Sequence, residues 1–183
     1  MKVLVVYYSE TGNTEKIAKA IYEEASRKHE AHLKRVKDIK PETLNDYDLV
    51  FLGSPCHSSD LAAPVKKLLK EFPESPKFKL AGFFTHSVWS PEQNELGQAI
   101  FDRWASKCID SFEDISQEKH IDFRGYYHCQ GSPSFRIKLF IRFQIIRSQS
   151  EWKKYIEEAK KHPNQQDLKR ASDFAQKIIF ALT

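Results

Sequence analysis

Apolar positions along the chain fall into two alternating patterns, short unbroken runs and repeats at helical spacing. Lys2 to Tyr8 is a continuous β-branched and aromatic run, the pattern of a strand buried on both faces of a parallel sheet. After the polar stretch Ser9 to Thr14, Ile17, Ile21 and Ala25 recur beside Lys16, Glu23 and Glu24, which predicts an amphipathic helix over 13–28. The alternation continues with strands near 32–36, 48–53, 79–87 and 122–129 and helices near 63–71 and 95–109. A last helix near 167–182 carries Leu168, Ala171, Phe174, Ala175, Ile178 and Ile179 on one side. Five strands interleaved with helices predict an α/β fold with an open parallel sheet between two helical layers. In such sheets ligands sit outside the carboxyl ends of the strands, near the switch in strand order.

One stretch breaks the alternation. Between the fifth strand and the last helix, segment 131–166 contains Phe135, Ile137, Leu139, Phe140, Ile141, Phe143, Ile145 and Ile146, too apolar for free solvent. Trp152, Tyr155, Ile156 and Ala159 predict an added amphipathic helix within it. The segment is expected to cover its own domain, with pairing of two subunits (a homodimer) or a wall beside a ligand as alternatives. The chain otherwise reads as a single domain over 1–183: six glycines and eight prolines in 183 residues leave no linker visible.

Charge sharpens the picture of that tail. The net charge is +4, yet eleven of the 29 basic residues and only five of the 25 acidic ones lie in 132–183. Arg136, Lys138, Arg142 and Arg147 would form a basic rim, suited to an acidic redox partner protein or to the phosphate of NAD(P)H. Without a recognised reading motif, the basic tail does not make nucleic acid the expected partner. No apolar run approaches the roughly 18 residues of a membrane span, so no membrane association is expected and a cytoplasmic location is the default. Cys56, Cys108 and Cys129 are odd in number and contain no Cys-x-x-Cys pair, which argues for reduced thiols and against a metal site.

The strongest chemical signal is the first loop. Ser9, Glu10, Thr11, Gly12, Asn13 and Thr14 supply three hydroxyls, one amide and one glycine where a buried strand meets a helix. A helix start leaves backbone N–H groups unpaired and carries about half a positive charge, so this loop can cradle a phosphate, with Glu10 turned outward. The plainer alternative is that Asn13 or Thr14 merely caps the helix. Spelling excludes rival phosphate sites: there is neither a Gly-x-x-x-x-Gly-Lys-Ser/Thr nor a Gly-x-Gly-x-x-Gly. A phospho-receiver domain would need an acceptor carboxylate where this chain has Gly53-Ser54-Pro55.

The loop resembles the flavodoxin phosphate-loop pattern Ser/Thr-x-Thr-Gly-x-Thr, and Leu49 to Pro55 resembles the third strand and first flavin-contacting loop of that family. The resemblance implies a flavodoxin-like three-layer sandwich with a five-stranded parallel sheet in the order 2-1-3-4-5, plus the extra segment. It implies FMN as cofactor, with the ring between Ser54 to Asp60 and Thr85 to Asn94. Cofactor contacts are then expected from Ser54, Pro55, Cys56, His57, Thr85, His86, Ser87 and Trp89. Cys56 and His57 stand where relatives often carry Thr or a stacking Tyr, so Trp89 is the expected ring-stacking residue. His57 and His86 are candidates for hydrogen bonds to the ring. A Cys56 to Cys129 bridge is excluded, because strands three and five flank strand four and lie roughly 9 to 10 Å apart. The implied function is electron transfer; the alternatives are an FMN-dependent NAD(P)H oxidoreductase acting on quinones or similar acceptors, and a flavin-free scaffold.

Overall fold

The computed structural model describes residues 1–89 and 95–183. Five parallel strands form the sheet: β1 (Lys2–Tyr7), β2 (Glu30–Arg35), β3 (Leu49–His57), β5 (Lys79–His86) and β6 (Phe123–Gln130). A two-residue strand, β4 (Asp60–Leu61), folds back antiparallel on the end of β3. The order is β2-β1-β3-β5-β6, which without the short β4 is the expected 2-1-3-4-5.

Successive residues of a strand point to opposite faces, and the two faces of β1 and β3 are both apolar. Val3, Val5 and Phe51 pack with α1 (Asn13–Ala25) and α7 (Gln165–Phe180) through Ile17, Ile21, Ala171 and Ala175. Leu4, Val6, Val50 and Leu52 pack against α2 (Ala63–Lys70), α3 (Glu95–Trp104) and α4 (Lys107–Glu118) through Val65, Leu69, Phe101 and Phe112. Gly53 has a packing reason: a Cβ there would lie 2.1 Å from the buried Phe83 ring.

The predicted helix over 95–109 divides in two. α3 ends at Trp104 and α4 begins at Lys107, with Ser106 N–H reaching back five residues to Phe101 O (3.1 Å). α4 then runs to Glu118 because Cys108, Phe112 and Ile115 continue an apolar face. α1 stops at Ala25, short of residue 28, where the Ser26 hydroxyl donates to Tyr22 O (2.7 Å). β3 runs past residue 53, since Ser54 and Pro55 still pair with Phe84 and Thr85.

The tail folds as α5 (Phe135–Phe140), a π-helical turn (Ile141–Ile145) and α6 (Gln149–Ala159). It has its own small core of Ile141, Ile146, Tyr155 and Ala159, against which Trp89 and Trp152 pack. The Tyr155 hydroxyl donates to Ser87 O just beyond β5. The tail therefore packs, through Tyr155, on the loop that follows β5.

Candidate functional site

The carboxyl ends of β1, β3, β5 and β6 bring the first loop, Ser54 to His57, Thr85 to Trp89 and Gly131 together. At the first loop Gly12 sits at φ +85°, a left-handed conformation that favours glycine. Its N–H donates to Ser9 Oγ (3.1 Å), and its carbonyl starts the helix by accepting from Lys16 N–H (3.1 Å). No side chain caps α1. Asn13 and Thr14 lie inside the first turn and are spent elsewhere, so the plain capping role does not hold for either. Asn13 Nδ2 donates to Ser132 O (2.8 Å) and to Thr11 Oγ1 (3.1 Å). The buried Thr14 hydroxyl pairs with that of Thr85 at 2.9 Å. A Cβ on Gly131 would fall 2.8 Å from Asn13 Nδ2, so the loop after β6 closes tightly on the loop after β1.

Glu10 is exposed, as the phosphate cradle requires. Its carboxylate accepts from the Tyr8 hydroxyl (2.8 Å), raising the phenol above its ordinary pKa, and stands 3.9 Å from His57 Nε2. His57 packs edge-on against Tyr8.

Two adjoining cavities lie between these loops. The smaller, of about 50 Å³, is lined by Thr11, Asn13, Pro55, His57, Thr85 and Gly131 among others. The larger, of about 490 Å³, shares Cys56, His86, Ser87 and Ile137 with it and is walled by Val88, Trp104, Phe140, Ile141 and Ile145, with Arg136 at its rim. Another cavity, of about 430 Å³, opens beside Tyr8 and Arg35 and includes only Ser9 of the expected contact residues. The uncapped helix start and the two adjoining cavities fit a phosphate joined to a flat ring, and the larger volume accommodates that ring.

Around the ring-side cavity the expected residues have distinct surroundings. Buried Ser54 accepts from Ala62 N–H (2.9 Å) and donates to Pro55 O (2.8 Å), bracing the loop. Cys56 Sγ donates to Trp104 O (3.3 Å). Its thiol also contacts that of Cys108, whose pKa is raised by this hydrogen bond and by burial. His86 is fully buried, with Nδ1 3.1 Å from Val88 O and Nε2 3.1 Å from His128 Nδ1. A carbonyl only accepts, so Nδ1 carries the proton and Nε2 accepts from His128. Burial and the neighbouring His128 lower the His86 pKa to about 3, so the ring is neutral at pH 7.

Trp89 differs from expectation. Its ring meets Tyr155 edge-on at 5.4 Å within the tail's core and lines neither of the two adjoining cavities. The tail supplies a better apolar surface for this indole than the open end of the sheet. Trp104 is instead the tryptophan at the larger cavity, edge-on to Phe140 at 5.7 Å. Sequence reasoning missed it, having buried it in an unbroken helix. The remainder of the expected loop, residues 90–94, lies outside the described residues.

Cys129 is a buried packing residue beside α7, and its partner across β5 is Thr85, which in turn pairs with Pro55. All three cysteines are free. Among the described residues no group of three potential metal ligands occurs, and no helix is long and apolar enough to cross a membrane. Gln130, fully buried at the end of β6, has no hydrogen-bond partner on either amide atom.

Comparison with known proteins follows the same lines. The flavodoxin domain family matches residues 4–176. An uncharacterised protein of Methanocaldococcus jannaschii is 27% identical over 185 residues, covering 98% of this chain and 99% of the relative. The flavodoxin-like domain-containing protein BilS of Clostridioides difficile is 28% identical over 188 residues, covering 98% and 97%. Among solved structures, oxidised flavodoxin 2 from Bacillus cereus superposes with a TM-score of 0.66 at 18% identity, over 99% of each chain. At that identity the likeness shows the fold alone.

Proposed function

The chain belongs to the flavodoxin domain family, and from that premise we propose that it binds FMN at the carboxyl ends of β1, β3 and β5 and transfers electrons between redox partners. The observation that carries this reading is the start of α1, which has a left-handed glycine and no side-chain cap. Unpaired first-turn N–H groups, the helix dipole and the hydroxyls of Ser9 and Thr11 together suit a phosphate. Each hydrogen bond to such a charge contributes roughly 1.5 to 3 kcal/mol. Asn13 positions the loop by its bond to Ser132 O, and Thr14 does so through Thr85.

FMN, when bound, supplies the one- and two-electron chemistry, and the protein tunes it through hydrogen bonds, charge and exclusion of water. Here Pro55 to His57 and Thr85 to Ser87 flank the ring site, with buried Ser54 bracing the first of these loops, while Trp104, Phe140, Ile141 and Ile145 form an apolar wall. His86 is a positioning residue: its proton is committed to Val88 O, which fixes the loop after β5, and its neutrality keeps a cation away from the ring.

A second reading, an FMN-dependent NAD(P)H oxidoreductase, is favoured by one feature. α5 lines one side of an open cavity with Arg136, Ile137 and Phe140, where a pyridine nucleotide phosphate would find Arg136 as a partner. Bleaching of the flavin by NADPH alone supports this reading, and bleaching only through a partner reductase supports the carrier.

The first test is a titration of the purified protein with FMN and with riboflavin, followed by quenching of flavin fluorescence. FMN is expected to bind at least about a hundredfold more tightly, since riboflavin lacks the group that would occupy the helix start. Equal affinity for the two would refute the phosphate assignment.

A further inference from the structure

The most exposed apolar surface lies on the tail. Among the described residues seven large apolar side chains are exposed, and five of them, Phe135, Ile137, Leu139, Phe140 and Phe143, fall within nine residues. Phe135, Leu139 and Phe143 follow one another at intervals of four, so they form one stripe along α5 and the π-helical turn. Phe135 is 74% and Phe143 66% exposed. The alternate set is more covered: Ile141 and Ile145 join the tail's core, and Ile137, 38% exposed, borders the larger cavity.

Charge decides what such a stripe meets. No acidic residue occurs between Asp122 and Glu151, while Arg136, Lys138, Arg142 and Arg147 fall in that interval. Arg142 is folded back onto Ile146 O (2.9 Å), Arg147 O (2.7 Å) and Gln149 Oε1 (3.0 Å), closing the π-helical turn. Arg136 and Lys138 fall between Phe135 and Leu139 on α5, and exposed Arg147 follows the π-helical turn. A second copy of the chain would oppose like charges across a two-fold axis. The phenyl rings protrude as a ridge, where a soluble partner would have to supply a matching groove. Protruding Phe and Leu flanked by Lys and Arg are the chemistry of a segment lying in the headgroup layer of an anionic bilayer.

We propose that the α5 ridge docks this protein on an anionic lipid surface, with Phe135, Leu139 and Phe143 inserted and Arg136, Lys138 and Arg147 against the headgroups. Such docking needs no spanning segment: the ridge would lie on the bilayer without crossing it. The docking does not depend on bound FMN. Because Arg136, Ile137 and Phe140 also line the larger cavity, it sets the mouth of that cavity at the lipid surface.

The test is co-sedimentation of the full chain with vesicles of phosphatidylcholine alone and with about one-third phosphatidylglycerol, at low and at high salt. The wild type is expected to sediment with the anionic vesicles at low salt, at least about tenfold more strongly than with neutral vesicles or at high salt. The double variant Phe135→Ser/Phe143→Ser, at exposed positions whose replacement leaves the core untouched, is expected to lose about tenfold in binding while keeping its circular dichroism and melting temperature. Three results overturn the proposal: wild type remaining in the supernatant with anionic vesicles, equal binding to neutral vesicles, or undiminished binding by the double variant. A wild-type dimer in light scattering that becomes a monomer in the double variant, without vesicle binding, assigns the ridge to a second copy instead.

Discussion

Replacing His86 by Asn removes a titrating group while keeping a donor near Nδ1, and this isolates a pH dependence that the structure sets. In the folded protein Nδ1–H serves Val88 O, and Nε2 accepts from His128 at 3.1 Å. A proton added to Nε2 would face the His128 N–H, and full burial denies it water, so the pKa falls from 6.5 to about 3. The unfolded chain takes up that proton near pH 6.5 and the folded chain does not. The stabilisation is therefore fully present above pH 6.5 and is lost as the pH falls, by about 1.4 kcal/mol per unit, until the folded His86 itself protonates. Between pH 7 and pH 5 this amounts to about 2 kcal/mol. Urea unfolding at the two pH values measures it. His86→Asn is expected to be less stable than wild type at pH 7 but to lose about 2 kcal/mol less on acidification. The carboxylates held below their ordinary range, such as Asp60 beside Lys66 and Ser111, are present in both proteins and cancel. Parallel pH profiles for the two proteins would refute the reasoning.

Other substitutions probe the frame and the loop. Gly53→Ala places a Cβ 2.1 Å from the Phe83 ring, so it is expected to cost about 2 to 4 kcal/mol in thermal or urea unfolding, with partial rescue by Phe83→Leu. Asn13→Ala frees the phosphate loop from Ser132 O and is expected to weaken FMN binding about tenfold with little change in melting temperature, the worth of one lost hydrogen bond. Gln130→Met replaces a buried amide without partners by an apolar chain of similar length and is expected to raise unfolding stability by about 1 kcal/mol; a loss of stability would show that the amide is satisfied in solution.

Much of this architecture was legible because β1, β3 and β5 carry the unbroken apolar stretches 3–6, 49–52 and 80–84, and a central parallel strand buries both faces in that way. The loop after β1 stood out for a different reason, a lone glycine among hydroxyls at a strand-to-helix turn, and its left-handed Gly12 is seen in the structure. Whether Asn13 caps the helix was not, since its partner Ser132 is 119 residues distant and an asparagine serves either role. The break between α3 and α4 left no local mark either: Ala105 is the best of helix formers, and the turn is held by tertiary bonds such as Cys56 Sγ to Trp104 O. In the tail, isoleucines and phenylalanines are so closely interleaved between 135 and 146 that hydropathy alone does not separate the covered Ile141 and Ile146 from the exposed Phe135 and Phe143.

The tail's deeper consequence is control of the loop after β5. Three consecutive residues of that loop are held by two side chains: Ser87 O accepts from Tyr155, Val88 O accepts from His86, and the Trp89 ring meets the Tyr155 ring edge-on. Two of the three holds come from α6, although α6 lies outside the parallel-sheet frame and follows Trp89 by some sixty residues. Tyr155 is itself buried with Ile141 and Ile146, so a displacement of α5 and the π-helical turn cannot leave Tyr155 in place without opening a gap in a close-packed cluster. The same α5 supplies Phe140 and Arg136 to the larger cavity. α5 and the π-helical turn therefore connect the larger cavity, through Arg136, Phe140 and Ile141, to the loop after β5, through Tyr155. That coupling runs through contacts shared by the two and needs no rearrangement of the sheet.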